Sequence, residues 1–152
     1  MRHLVGAAVS ALCVLVLAPG CFVATSKSCT LLGCDSTISV RYAKPIAGSY
    51  ALTVQTGGLT MSGVTCPAPS TVPPGSGGVL VQCDGNGFTL SSANAFGSNP
   101  EGAQTIPLTT TVTPHGGGPA SSASASPAIV STSQPNGPSC GPTCYAYSAQ
   151  MQ

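Results

Sequence analysis

Gly48-Ser49-Tyr50-Ala51-Leu52-Thr53-Val54-Gln55 alternates the large apolar side chains Tyr50, Leu52 and Val54 with small or polar ones. In an extended chain a repeat of two sends successive side chains to opposite faces, so this segment reads as a strand with one face buried. The same pattern lies upstream, where Ile38, Val40 and Tyr42 interleave with Ser39 and Arg41. It returns at the end, where Tyr145, Tyr147, Ala149 and Met151 interleave with Ala146, Ser148 and Gln150. Between them lie Leu59 to Val64, Val79 to Gln82, Phe88 to Leu90, Thr105 to Val112 and Ile129 to Thr132, each β-branched or apolar. That makes about eight short strands.

What separates these runs supports the same fold. Pro45 to Gly48, Gly57-Gly58, Asp84-Gly85-Asn86-Gly87 and Asn136-Gly137-Pro138 are turn sequences. The chain holds 19 Gly and 14 Pro but only 4 Lys and Arg and 3 Asp and Glu, so most long-chain helix formers are missing. Short strands at this spacing predict an all-β antiparallel sandwich, with Pro107 assigning its segment to a sheet edge. The stretch from Pro114 to Pro127, rich in Ser, Ala and Pro, has too little apolar surface to order itself and reads as a mobile loop or extended excursion within the domain. Gly48 to Val54 has the form G-x-Y-x-L-x-V and resembles the strand opening of immunoglobulin-like and related bacterial sandwich modules, which implies an immunoglobulin-like sandwich.

The N-terminus carries an export address. Arg2 and His3 precede an apolar run from Leu4 to Leu17, and Ala18 and Gly20 supply small residues just before Cys21. A membrane span takes about 20 apolar residues, more than this run offers before Pro19. Residues 1–20 therefore read as a cleaved signal peptide. Leu17-Ala18-Pro19-Gly20-Cys21 resembles the bacterial lipoprotein signal, in which the cysteine receives a lipid and becomes the new N-terminus. It departs from that family in having Ala18, not a large aliphatic residue, three positions before the cysteine. The resemblance implies a membrane partner reached through an acylated Cys21, and Phe22, in place of an aspartate, points to the outer membrane. The ordinary alternative is a secretory signal cut before the same cysteine, leaving a secreted or periplasmic protein. Residues 21–28 then form a tether ahead of a domain spanning 29–152.

Six cysteines remain beyond Cys13 and Cys21: Cys29, Cys34, Cys66, Cys83, Cys140 and Cys144. An even count in an exported chain suits disulfides, although six thiols allow 15 pairings. Cys66 and Cys83 flank a Pro- and Gly-rich stretch and read as one bridge. Cys29/Cys34 and Cys140/Cys144 form two tight groups; the preferred reading cross-links the groups and clamps the chain ends, and the alternative is two small local loops. Cys140-Gly141-Pro142-Thr143-Cys144 has neither the spacing nor the context of a redox C-x-x-C site, and zinc is disfavoured in an oxidising compartment. With its paired terminal cysteines the whole also resembles small cysteine-containing lipoproteins of uncharacterised function from Gram-negative bacteria.

Catalytic ingredients are scarce. Beyond the signal, Lys27, Arg41 and Lys44 balance Asp35, Asp84 and Glu101, leaving no basic footprint for nucleic acid. The one histidine there, His115, stands beside Gly116-Gly117-Gly118, a poor setting for a general base that needs held geometry. Asp84-Gly85-Asn86-Gly87 opens like a calcium loop, but Ala95 occupies the position of the bidentate acid, and a hairpin turn explains it better. Asp35 and Asp84, each following a cysteine, also read as turn markers. Neither cofactor nor enzymatic activity is expected. The function predicted is a non-enzymatic, lipid-anchored envelope protein, structural or binding an envelope protein partner. The alternative is a lectin-like module binding carbohydrate or another surface ligand, although Tyr145 and Tyr147 on the last strand read as core.

Overall fold

The computed structural model describes residues 29, 32–70, 78–93, 96 and 99–152. Residues 1–20, read as a signal, and residues 21–28, read as a tether that begins at Cys21, lie outside them. The described chain is a sandwich of two sheets without a helix. Its ten strands are β1 (Ser36–Tyr42), β2 (Tyr50–Thr56), β3 (Leu59–Cys66), β4 (Ala68–Ser70), β5 (Leu80–Asp84), β6 (Gly87–Ser92), β7 (Leu108–Pro114), β8 (Ser121–Ala125), β9 (Ala128–Ser133) and β10 (Cys144–Met151). One sheet runs β4-β5-β6-β1-β10-β9 and the other β3-β2-β7-β8.

The period-two patterns fix which face is buried. Ile38 and Val40 of β1, Tyr50, Leu52 and Val54 of β2, and Phe88 and Leu90 of β6 point into one shared core, joined by Met61, Val64, Val81, Leu108, Val112 and Tyr147. The alternate residues Thr109, Ser122 and Ser124 face solvent. Burying the core side chains stabilises by roughly 25 cal/mol per Å² of apolar surface removed from water, the driving force a chain so poor in charge depends on.

Three features depart from the sequence reading. The first is β8, a regular strand inside the stretch read as a mobile loop or extended excursion. Its five residues pair with β7 from Leu108↔Ala125 to Val112↔Ser121, without a break. Ser and Ala give no contrast of hydrophobicity, so a neighbouring strand, not the local pattern, makes this segment extended. The second concerns Pro107: β7 begins one residue later and is paired on both sides, by β2 and β8. The proline's missing N–H never enters the ladder, so it sets no edge. The third is a parallel pair in an otherwise antiparallel sandwich. β1 runs alongside β10, from Thr37↔Ala146 to Tyr42↔Met151. Parallel neighbours need a long connection, and here nearly the whole domain lies between the first strand and the last.

The three disulfides join Cys29 to Cys140, Cys34 to Cys144 and Cys66 to Cys83. The two N-terminal cysteines are thus bound to the C-terminal group and not to each other. Cys34 and Cys144 sit at the starts of the parallel strands, so the bridges close one end of the sandwich. Cys66, at the end of β3, and Cys83, in β5, tie the two sheets together near the other end.

Candidate functional site

Where β1 and β10 finish, the two sheets part and leave a cleft of about 600 Å³. Its walls come from both sheets. Tyr42, Ala43, Lys44 and Ile46 follow β1, Gln150 and Met151 end β10, and Thr110, Val112 and Ala123 belong to β7 and β8. The alternation on β7 turns Thr110 and Val112 inward, and at the floor the buried Thr110 Oγ1 donates to Met151 Sδ at 3.0 Å. Ala43 N donates to the Met151 carbonyl at 2.7 Å, which holds the chain after β1 against the last strand. Lys44 is the one charged side chain on the lining.

Beside the cleft a hydrogen-bonded group fixes its β1 wall. Tyr50 Oη donates to the Asp84 carbonyl at 2.6 Å and lies 3.5 Å from Tyr42 Oη. The Tyr42 ring packs edge-on against Tyr50 and tilted against Phe88, with centroids 6.3 and 6.2 Å apart. Burial, above all, pushes the ionisation of both hydroxyls above the ordinary tyrosine value; the hydrogen bond to Tyr50 reinforces this at Tyr42, and the Asp84 charge adds to it at both.

Asp84 itself holds a hairpin turn. Its Oδ1 accepts from Asn86 N at 2.7 Å and Gly87 N at 3.0 Å, and Asp84↔Gly87 closes the β5–β6 pair. This carboxylate serves the backbone, as the turn reading expects, and Ile46 N donates to the Gly85 carbonyl at 2.8 Å to dock the turn. Gly87 is needed there because a Cβ would collide with the Val40 carbonyl.

The other sequence candidates are dispersed. His115 is exposed at the turn after β7, its backbone N donating to the Ser49 carbonyl at 3.1 Å. Asp35 lies between Cys34 and β1, and Glu101 lines a separate recess of about 260 Å³ at the clamped end with Tyr145 and Tyr147. There Tyr147 is buried, as read from sequence, while Tyr145 is half-buried. Burial, with the neighbouring Tyr145 and Glu101, raises the Tyr147 ionisation. Among the described residues no three His, Cys, Asp or Glu side chains gather to hold a metal ion. Sequence reasoning missed the cleft because its walls come from strand ends far apart in the chain; only the alternation of Tyr42 and Met151 carried a hint. No family model, curated protein or solved structure matches the chain.

At the clamped end Asn136 ties the N-terminal segment to the β9–β10 connection. Its side chain donates to the carbonyls of Leu32 at 2.9 Å and Gly141 at 2.6 Å, and accepts from Leu32 N at 3.1 Å. The chain at Cys29, Leu32 and Cys34 is thereby fixed by two disulfides and an amide clamp.

Proposed function

We propose that the protein is a non-enzymatic envelope module, exported through residues 1–20 and anchored by a lipid on Cys21, that serves as a structural or protein-binding element. The observation that carries this reading is the bridge from Cys29 to Cys140, eight residues past the anchoring cysteine. A tether of that length spans at most roughly 28 Å at full extension. The clamped end then faces the membrane at short range, and the cleft beside Tyr42 and Met151 faces away from it. Three disulfides in so small a domain suit an oxidising, extracytoplasmic compartment. Several acyl chains on Cys21 give stable attachment where one is marginal. Phe22 supports an outer-membrane destination.

The protein-binding reading is favoured over the carbohydrate-binding one by the tyrosines. Tyr50 and Tyr147 are buried and Tyr42 is packed between aromatic rings, so these three offer no open stacking platform. Intact mass of the mature protein from the membrane fraction tests the anchor. An N-terminal cysteine carrying diacylglycerol is expected, with the Cys21→Ser variant released from membranes. An unmodified N-terminus on wild-type protein contradicts the anchor and leaves a secreted domain.

A further inference from the structure

Unpaired strand edges invite other chains to add on, and folded proteins blunt them with bulges, prolines, charge, shortness or a covering segment. Among the described residues the sandwich has four: β3 and β8 in one sheet, β4 and β9 in the other. Three carry such a device. In β3 the register slips between Leu52↔Val64 and Val54↔Met61, and Gly63, at a φ of 75°, takes the left-handed conformation that this bulge uses. β4 is three residues long with Pro69 at its centre. In β9 the register shift at Ala146/Tyr147 leaves Val130 as an extra, exposed residue, and the Thr105↔Ala128 bridge covers the start of its outer side.

β8 has none of these. Ser121-Ser122-Ala123-Ser124-Ala125 pairs with β7 in unbroken register, contains no proline or charge, and has no strand on its far side among the described residues. Its side chains are small, so another backbone meets little steric obstruction. The segment is also close to self-complementary. Antiparallel pairing of two copies about Ala123 sets Ala123 against Ala123, Ser122 against Ser124 and Ser121 against Ala125. Serines then face serines on the outer surface, and alanines oppose one another or Ser121 on the inner. An isologous two-fold contact requires this self-matching of one patch.

We propose that the β8 edge is a dimerisation edge, joining two copies of this chain by antiparallel β8–β8 pairing into one continuous eight-stranded sheet. The outer face already runs in matched hydroxyl pairs across β7 and β8: Thr111 Oγ1 with Ser122 Oγ at 2.8 Å, and Thr109 Oγ1 with Ser124 Oγ at 3.2 Å. The pairing extends these rows across the two-fold axis with no charge to repel the second copy. Main-chain hydrogen bonds supply the affinity, as in other strand-addition contacts. The inference is independent of the acylation of Cys21.

The test is sedimentation equilibrium of the full mature chain, in density-matched detergent where it is acylated, over a wide concentration range. Wild-type protein is expected to dimerise. The Ser122→Lys/Ser124→Lys variant, altered only at exposed positions, puts lysine opposite lysine twice and should weaken the dimer roughly tenfold or more. Its far-ultraviolet spectrum should match that of the wild type, which shows that the variant is folded. Ser122→Thr/Ser124→Thr should still dimerise. A wild-type protein that stays monomeric, or a folded lysine variant that dimerises as tightly as wild type, overturns the proposal.

Discussion

The hydroxyl of Tyr50, the first residue of β2, donates to the main-chain carbonyl of Asp84, the last residue of β5, at 2.6 Å and so ties one sheet to the other. Cys66, the register partner of Tyr50 on β3, bonds through sulfur to Cys83, the neighbour of Asp84. A covalent and a hydrogen-bonded link therefore hold the same corner. The tyrosine that makes the G-x-Y-x-L-x-V strand recognisable is also the residue that closes this end of the sandwich.

Tyr50→Phe keeps the ring and its packing but leaves the Asp84 carbonyl without its partner. The expected loss is about 0.5–1.5 kcal/mol of unfolding free energy, the net worth of one part-buried hydrogen bond. Denaturant titration checks it, with an unchanged slope showing that only stability has moved.

Alkaline pH should destabilise the fold through the same pair. Tyr42 and Tyr50 in the folded chain release their protons above the ordinary value of 10.0, chiefly because they are buried. In the unfolded chain they ionise near that value, so unfolding is favoured once pH passes it. Their contribution is complete below about pH 10 and is lost as pH rises further toward the folded-state values. Unfolding midpoints measured across this range should begin to fall near pH 10, and in Tyr42→Phe the fall should be shallower.

The folding pattern was legible where side chains differ in size and polarity. β1, β2 and β10 announce themselves because Ile38, Leu52 and Tyr147 alternate with Ser39, Thr53 and Ser148, and the core takes the apolar set. β8 was not legible, since Ser and Ala carry no amphipathic contrast and β7 alone makes the segment a strand. Cysteine grouping indicated the clamp but not which partner each cysteine takes. The order follows from direction: β1 and β10 run parallel, so the earlier cysteine of one group meets the earlier of the other, Cys29 with Cys140 and Cys34 with Cys144. Pro107 misled because one residue separates a proline inside a ladder from one at its threshold. The cleft escaped notice because residues as distant as Lys44, Val112 and Met151 form it.

Gly87 marks the closest backbone approach in the hairpin under Tyr42. A methyl group added there meets the Val40 carbonyl and lies 3.1 Å from Arg41 Cα, main-chain atoms with little room to yield. Gly87→Ala should cost about 2–3 kcal/mol, the upper part of the range for forced overpacking. Gly116→Ala, whose added carbon meets nothing within 4 Å, should stay within about 0.5 kcal/mol of wild type in the same thermal melts.

Removing the inter-sheet bridge tests how the two ends share the stability. Cys66 and Cys83 are 17 residues apart, a loop whose closure is worth about 3 kcal/mol in the chain-entropy view. Cys66→Ala/Cys83→Ala should lose about that much in denaturant titration and still fold, because the two terminal bridges remain.

Oxidised sulfur staples the two ends of the sandwich domain side by side, and peptide mapping of the unreduced, purified protein tests that most directly. The predicted result is three linked peptide pairs, Cys29 with Cys140, Cys34 with Cys144 and Cys66 with Cys83, each separating on reduction. A Cys29–Cys34 link, a Cys140–Cys144 link or six free thiols would contradict it.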